Sequence, residues 1–397
     1  MKAPILFRNP ILTTANCHPR CTPIWNLSET LRRFIRETGK VPSNTSVCSH
    51  AGRLVYAIRL IDYMYLNTKT PENYRMVYTG RNDHENHSTY ILYDTDKDHV
   101  SYIDAMGYKR YVGVFSGVED MRLVSWDGIL YGICHRPDIH NNQVDIEVYR
   151  FHDNDGLYSI DASCIINTGR TEKNWVPVED RKGTVLYDPI GICLGMDVDG
   201  MKTSHEQMDY PIDHPYDGSL CGSSQVMVIP DWIATDEDQY VSIVHHRVKY
   251  THDDIINYEH AFVIYDKELG LRRRSPWFHF MTPGLEYCTG LCNHNHQIHI
   301  TFSTMDGAPH DMIIPESDFV VMLNTTMNGL EPVEPDVEHI RQGIQDPWAK
   351  AHAPLWFYMD GDHLTTTMVD CPGGDVVRGI IYMRTLNIKG ATPIQIK

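Results

Sequence analysis

The sequence predicts an all-β protein, a five-bladed β-propeller with an N-terminal helix and a C-terminal extension. Two observations carry that expectation. From residue 44 to about 330 the chain is a succession of short runs rich in Val, Ile, Tyr and Thr, broken by Asp, Gly, Asn and Pro, which is the pattern of many short antiparallel strands. Within it one unit recurs, a polar turn feeding an apolar strand: HAGRLVYAIR, WDGILYGICH, RKGTVLYDPI, DEDQYVSIVHH and NHNHQIHITFS. These units start at residues 50, 126, 181, 236 and 293, so they lie 55 to 76 residues apart, enough for a four-stranded sheet with its loops. Sheets of that size cover their faces by stacking radially, and five units imply five blades. On periodicity alone, a β-sandwich of similar hairpins is the alternative.

Residues 1–41 form an N-terminal extension. Its one helix is predicted in NLSETLRRFIRETGK, where Asn26 with Glu29 three residues on gives an N-cap signature. Leu27, Leu31, Phe34 and Ile35 recur at helical spacing there, and Gly39 ends it. Residues 42–330 form the propeller. Residues 331–397 form a C-terminal extension that opens with acidic residues and prolines, then a short helix around Val337 to Ile344. Strand-like text follows (APLWFYMDGDHLTTTMV, VVRGIIYMRTLNI), which either closes the last blade or adds a separate β element.

The 397 residues are 42% hydrophobic and 22% charged, which excludes a disordered chain and suffices for a core without staples. No run approaches the roughly 18 apolar residues of a membrane span, and a cytoplasmic protein is expected. The ten cysteines are scattered without C-x-x-C spacing and read as reduced thiols. A net charge of −17 repels nucleic-acid backbones on average. No phosphate-loop, dinucleotide or G-x-S-x-G motif occurs, and no cofactor is expected. His294 and His296 would share one strand face with His299 on the other, and no third ligand can be named, so no metal site is assigned.

The chemistry-bearing candidates begin with Glu119, Asp120 and Arg122, which stand where a blade strand enters. Two carboxylates beside an arginine can form an acid/base and substrate-holding cluster, or a surface turn with an ion pair. The same string comes with others in a fixed order: NTSV (44–47), Arg59, Arg81-Asn82, EDMR (119–122), EKNWVPV (172–178), GSSQ (222–225), VHH (244–246), YEHAFVIYD (258–266), EYCTGL (286–291) and Asp306. This order resembles the five-bladed propellers of the β-mannoside phosphorylases and hydrolases and the related β-1,2-mannosyltransferases. The resemblance covers roughly residues 42 to 320. It departs at Met121, which replaces the proline of E-D-P-R, at Ser223, which replaces the second glycine of G-G, and in the loosely matched PSNTSV.

The resemblance implies that Asp120 handles the proton at the glycosidic oxygen while phosphate or a nucleotide is the leaving group in one inverting displacement. It places Arg59, Arg81, Arg122, Lys173 and His246 as donor or phosphate ligands, with Arg247 a further cation nearby. Asn44, Asn82, Asn174, Gln225, Tyr287, Asp306 and His260 are placed as sugar contacts, and Trp175 offers an apolar face. The expected function is glycosyl transfer from a phosphorylated sugar donor to a hydroxyl acceptor, most readily a glycan. The alternatives are a glycoside phosphorylase or a hydrolase, the last needing an extra carboxylate for which Glu172 and Glu286 are the candidates. A viral transferase acting on hydroxymethylated DNA bases and a non-catalytic glycan-binding propeller are two more.

Overall fold

The computed structural model describes residues 20–68, 74–78, 88–103, 117–138, 143–166, 173–188, 192–199, 202–208, 220–230, 239–249, 256–275, 277–280, 285–304, 306–327, 357–360 and 363–366. The described chain opens with strand β1 (Arg20–Pro23), a 3-10 turn (Ile24–Asn26) and helix α1 (Glu29–Thr38). The helix is the expected one, but its cap is Ser28, whose hydroxyl accepts from the Leu31 N–H, and not Asn26. Asn26 lies in the preceding turn and takes a hydrogen bond from Arg32, because the extended backbone that a cap needs falls at Ser28. Gly39, at φ 62°, ends the helix as expected.

Five antiparallel sheets follow. Blade 1 is β2 (Val41–His50), β3 (Arg53–Ile61), β6 (Thr89–Asp94) and β7 (His99–Ile103), with β4 (Tyr63–Thr68) and β5 (Tyr74–Tyr78) inserted between β3 and β6. Blade 2 is β8 (Glu119–Trp126), β9 (Ile129–Asp138), β10 (Gln143–Asn154) and β11 (Leu157–Ile166). Blade 3 is β12 (Val176–Pro177), β13 (Thr184–Asp188), β14 (Ile192–Asp197) and β15 (Lys202–Met208). In blade 4, β16 (Leu220–Gly222) and β17 (Met227–Val228) both pair with β18 (Tyr240–Lys249), which is followed by β19 (Ile256–Tyr265) and β20 (Leu271–Arg274). Blade 5 is β21 (Glu286–His294), β22 (Gln297–Thr304) and β23 (Ala308–Pro315), with β1 as its fourth strand. The N-terminal segment thus holds the position that the sequence left open to the C-terminal extension. From that extension, β24 (Phe357–Asp360) and β25 (His363–Thr366) join β4 and β5 in a sixth sheet, with β24 parallel to β4.

Each of the five sequence units becomes the second strand of a blade, in order β3, β9, β13, β18 and β22. Three of their turns are two-residue hairpins with both residues at positive φ: Ala51-Gly52, Asp127-Gly128 and Asn295-His296. This is the turn whose twist matches paired strands. The last of them corrects the reading of the histidines. The chain reverses at 295–296, so His294 and His296 do not share a strand face. His294 bonds Ser49, the exposed His296 bonds Glu316, and the buried His299 bonds Asp311.

The first strands of the blades meet around the axis. Leu123 N–H donates to Ser46 Oγ, joining blades 2 and 1, and Thr289 donates to the Thr45 carbonyl, joining blades 5 and 1. Val226 N–H donates to the Pro177 carbonyl, joining blades 4 and 3, and Trp126 Nε1 donates to the Val178 carbonyl, joining blades 2 and 3. Apolar clusters fill the wedges between blades, for example Phe262, Phe278, Phe280 and Phe302 between blades 4 and 5. A helix unforeseen in the sequence, α2 (Glu316–Met327), follows blade 5 and adds Phe319, Met322 and Leu323 to that cluster. Its run FVVML has a strand's composition, and burial on this wedge decides the outcome. The helix expected around Val337 to Ile344 lies outside the described residues, as does VVRGIIYMRTLNI.

Candidate active site

The starts of the first strands lie at one end of the axis, and there the candidate residues converge. Three of these strands break register at this end: between Pro42 and Thr45 in β2, between Glu119 and Arg122 in β8, and between Cys288 and Gly290 in β21. A bulge turns a side chain away from the alternation of its strand. Asp120 sits in one of them with φ 49°, a left-handed conformation that aspartate tolerates better than most residues.

Asp120 is the centre of the cluster. Its Oδ1 accepts 2.7 Å from Asn44 Nδ2 and lies 3.8 Å from Arg59 Nη1, while Oδ2 lies 3.7 Å from His135 Nδ1. Asn44 is held in turn by Ser303, which donates to its Oδ1. Burial alone would raise the Asp120 carboxyl. His135, Arg59 and Arg122 together with the Asn44 hydrogen bond outweigh it and leave the pKa below the ordinary value. Burial takes the His135 pKa down to about 3, so its positive charge acts on Asp120 only in acid, and near pH 7 the ring is neutral and Arg59 and Arg122 are the charges that act there.

Both arginines are committed to protein partners. Arg59, only 4% exposed, donates Nε to Ser88 Oγ at 2.7 Å and Nη2 to Glu119 Oε1 at 2.8 Å. Arg122 is fully buried. Its Nε donates to the Ser223 carbonyl at 2.6 Å, Nη1 to the Asp120 carbonyl at 3.0 Å, and Nη2 to the Gly222 carbonyl and Tyr287 Oη at 3.2 and 3.1 Å. Nη2 also faces Asn174 Oδ1 at 3.4 Å, and Tyr287 donates to that oxygen at 2.9 Å. One guanidinium thus ties four blades together beneath the site. The sequence placed both arginines on a phosphate; in the structure Nε, Nη1 and Nη2 of Arg122 and Nε and Nη2 of Arg59 bond the framework around Asp120, and Arg59 Nη1 faces Asp120 Oδ1.

The other candidates divide. Asn44, Asn174 and Tyr287 belong to the cluster. The half-buried Asp306 does too: burial, opposed by Arg59 and helped by Asp120 and Glu119, pushes its pKa up to about 6, and Tyr63 hydrogen-bonds it. Lys173 is exposed and its charge reaches His135. Gln225 is not open to a sugar: its amide bridges the Val47 carbonyl at 2.6 Å and the Leu291 N–H at 3.1 Å, locking blade 1 to blade 5. His260 is sealed between Phe278 and Phe280, and Trp175 is core. Of the adjacent histidines in β18, His245 faces Tyr287, with ring centroids 4.9 Å apart, and bonds Ser223 Oγ at 2.8 Å. His246 points to the opposite face and packs on Trp277, because neighbours in a strand alternate. Glu286, a hydrolytic-base candidate, is fully buried and accepts from the Phe280 N–H. Arg81, Asn82 and Glu172 lie outside the described residues, as does the Arg247 side chain. Sequence reasoning missed His135, which ends the second unit and enters the site because β9 pairs it with Glu119.

Among the described residues no group of three or more His, Cys, Asp or Glu could hold a metal ion. No helix is long and apolar enough to cross a membrane among them.

No family model and no curated protein matches the chain. Solved structures do resemble it. A β-1,2-mannobiose phosphorylase from Listeria innocua is 10% identical, with a TM-score of 0.42 over 72% of this chain and 92% of that one. A mannose phosphorylase from Leishmania mexicana, in complex with a phosphate ion, is 10% identical at a TM-score of 0.41 over 75% and 90%. A GDP-Man-dependent mannosyltransferase from the same organism is 13% identical at 0.39 over 70% and 86%.

Proposed function

We propose that the protein is a carbohydrate-active enzyme that transfers a sugar, with inversion, from a phosphate-activated donor to a hydroxyl acceptor. The observation that carries this reading is the state of Asp120, an enclosed carboxylate whose pKa is held below the ordinary value at the mouth of the ring. An ionised carboxylate can take a proton and cannot give one. In the synthetic direction the acceptor oxygen attacks the anomeric carbon, and its proton passes to Asp120. The bond to the phosphate oxygen breaks, and the phosphate leaves with the electron pair. Phosphorolysis is the same displacement run backwards, with Asp120 returning the proton to the glycosidic oxygen. Hydrolysis would need a second base; of the two candidates Glu286 is sealed and Glu172 lies outside the described residues.

Asn44 and Tyr287 are bonded within the cluster and shape it, and the half-buried Asn174 beside them is an amide suited to sugar hydroxyls. With Arg122 committed and Arg59 bonded to Ser88 and Glu119, the donor phosphate falls to other cations, and Lys173 is exposed at this end among the described residues. The test is a thermal-shift screen with nucleoside diphosphates, nucleotide sugars and sugar phosphates, followed by NMR of the product's anomeric centre with simple glycan acceptors. A ligand present at 100 times its Kd stabilises by about 2.7 kcal/mol. Stabilisation by a phosphorylated donor and an inverted product support the reading, and a product with retained configuration would refute it.

A further inference from the structure

We infer that His135 is the positioning residue that holds Asp120 ready to accept a proton, through a neutral ring whose one N–H faces Asp120 Oδ2. The inference rests on the reading of Asp120 given above. The backbone N–H of Asn174 reaches His135 Nε2 at 2.7 Å. A peptide N–H can only donate, so Nε2 is the accepting nitrogen, and in a neutral imidazole the proton then stands on Nδ1. That nitrogen lies 3.7 Å from Asp120 Oδ2. The ring is nearly fully buried, and burial keeps it neutral against the pull of Asp120, with Arg122, Lys173 and Arg59 acting in the same sense as burial.

This arrangement makes the two oxygens of Asp120 unequal. Oδ1 takes the short bond from Asn44 and faces Arg59. Oδ2 faces the His135 N–H across a gap longer than a hydrogen bond, which leaves its lone pairs open to an incoming hydroxyl. A neutral donor orients the carboxylate without adding a third positive charge, which would lower its basicity further. The far nitrogen is tied to Asn174, held left-handed at φ 63° and bonded through its side chain to Tyr287 and Arg122. His135 thereby refers the position of Asp120 to blade 3. Among the described residues the other ionisable groups that interact with Asp120 include Arg59 from β3, Tyr90 from β6, Glu119 and Arg122 from β8, Cys134 from β9, His245 from β18, Tyr287 from β21 and Asp306 from the turn after β22.

The test combines nitrogen NMR of the imidazoles in the full chain with the variants His135→Leu and His135→Asn. The native ring is expected to show a neutral Nδ1–H tautomer from pH 5 to 8, with the Nδ1 signal displaced in Asp120→Asn. His135→Leu removes the N–H that faces Asp120 and should lower kcat by up to about 10²-fold, the scale of misplacing a catalytic group by about 1 Å. It should also move the acid limb of the kcat/KM profile to higher pH, because the Asp120 carboxylate loses a partner, while the donor KM stays unchanged. His135→Asn, whose amide N–H stands near the Nδ1 position, should recover most of the rate. An Nε2–H or doubly protonated ring, an unmoved acid limb, or equal losses in both variants would overturn the assignment. The NMR result needs no substrate, so failure to find any sugar transfer would count against the proposed function while the ring still decides the role of His135. If His135→Leu does not fold, the native tautomer and the His135→Asn profile decide it.

Discussion

Asp120 and Asp306 share one cluster with their pKa values pushed apart, one below the ordinary value and the other up to about 6. Such a separation divides the roles of two carboxyls. For Asp306 the folded pKa lies above the unfolded one, so the native state binds more protons between about pH 4 and 6, and stability is lost as pH rises through that window. Asp306→Asn, which keeps an acceptor for Tyr63, should therefore raise Tm at pH 7 by more than at pH 4. A constant offset across that range would show that the carboxyl does not titrate there. Arg122 makes the opposite case, because its charge is compensated within the fold. Arg122→Lys keeps the charge but loses the planar fork that reaches the Ser223, Gly222 and Asp120 carbonyls, and should cost roughly 3–5 kcal/mol in urea unfolding. A loss under about 1 kcal/mol would mean that the four-blade tie is not structural.

At the level of elements, the turn-strand units were legible because D-G and A-G dipeptides before alternating apolar residues are local signals, and each proved to be the second strand of a blade. The bulges were not legible. A register shift at Pro42/Thr45 or Glu119/Arg122 has no residue signature, since it arises from where the partner strand lies. That is why the strings pointed to Asp120 and Asn44, which the structure brings together, but could not show that Arg122 points inward, that Gln225 is a strut, or that His245 and not His246 faces this cluster. His135 was hidden for the same reason: its role depends on the pairing of β9 with β8. The bulge in β21 permits a specific test. A Cβ at Gly290 would stand 2.2 Å from Thr301 Oγ1 and 2.7 Å from the Val47 backbone nitrogen, so β21 and β2 meet too closely there for a side chain. Gly290→Ala should destabilise by about 1–3 kcal/mol and, by shifting β2, loosen the Asn44 bond to Asp120 and lower turnover as well. Unchanged urea unfolding would contradict that close approach.

Across the whole molecule, closure of the ring depends on a strand far from its partners in sequence. Arg20–Pro23 pairs with Ile313 to His310 and covers the outer edge of blade 5. Removing residues 1–23 should expose that edge, lower Tm and promote association, as unpaired strand edges do. A variant of unchanged Tm that associates no more than the parent by light scattering would show that β1 is dispensable. The ring in turn explains how a protein of net charge −17 can set cations beside a carboxylate: different blades deliver Arg59 from β3 and Arg122 from β8 to one point from separate directions, independent of the outer surface.

The account stands most directly on Asp120 as the proton acceptor, and the measurement is turnover of Asp120→Asn beside the parent with whichever phosphorylated donor stabilises the protein. The amide keeps shape and the Asn44 contact but cannot accept a proton. The folded variant should bind the donor normally and turn over about 10²- to 10⁴-fold more slowly. A folded Asp120→Asn protein working within a few-fold of the parent would contradict the account.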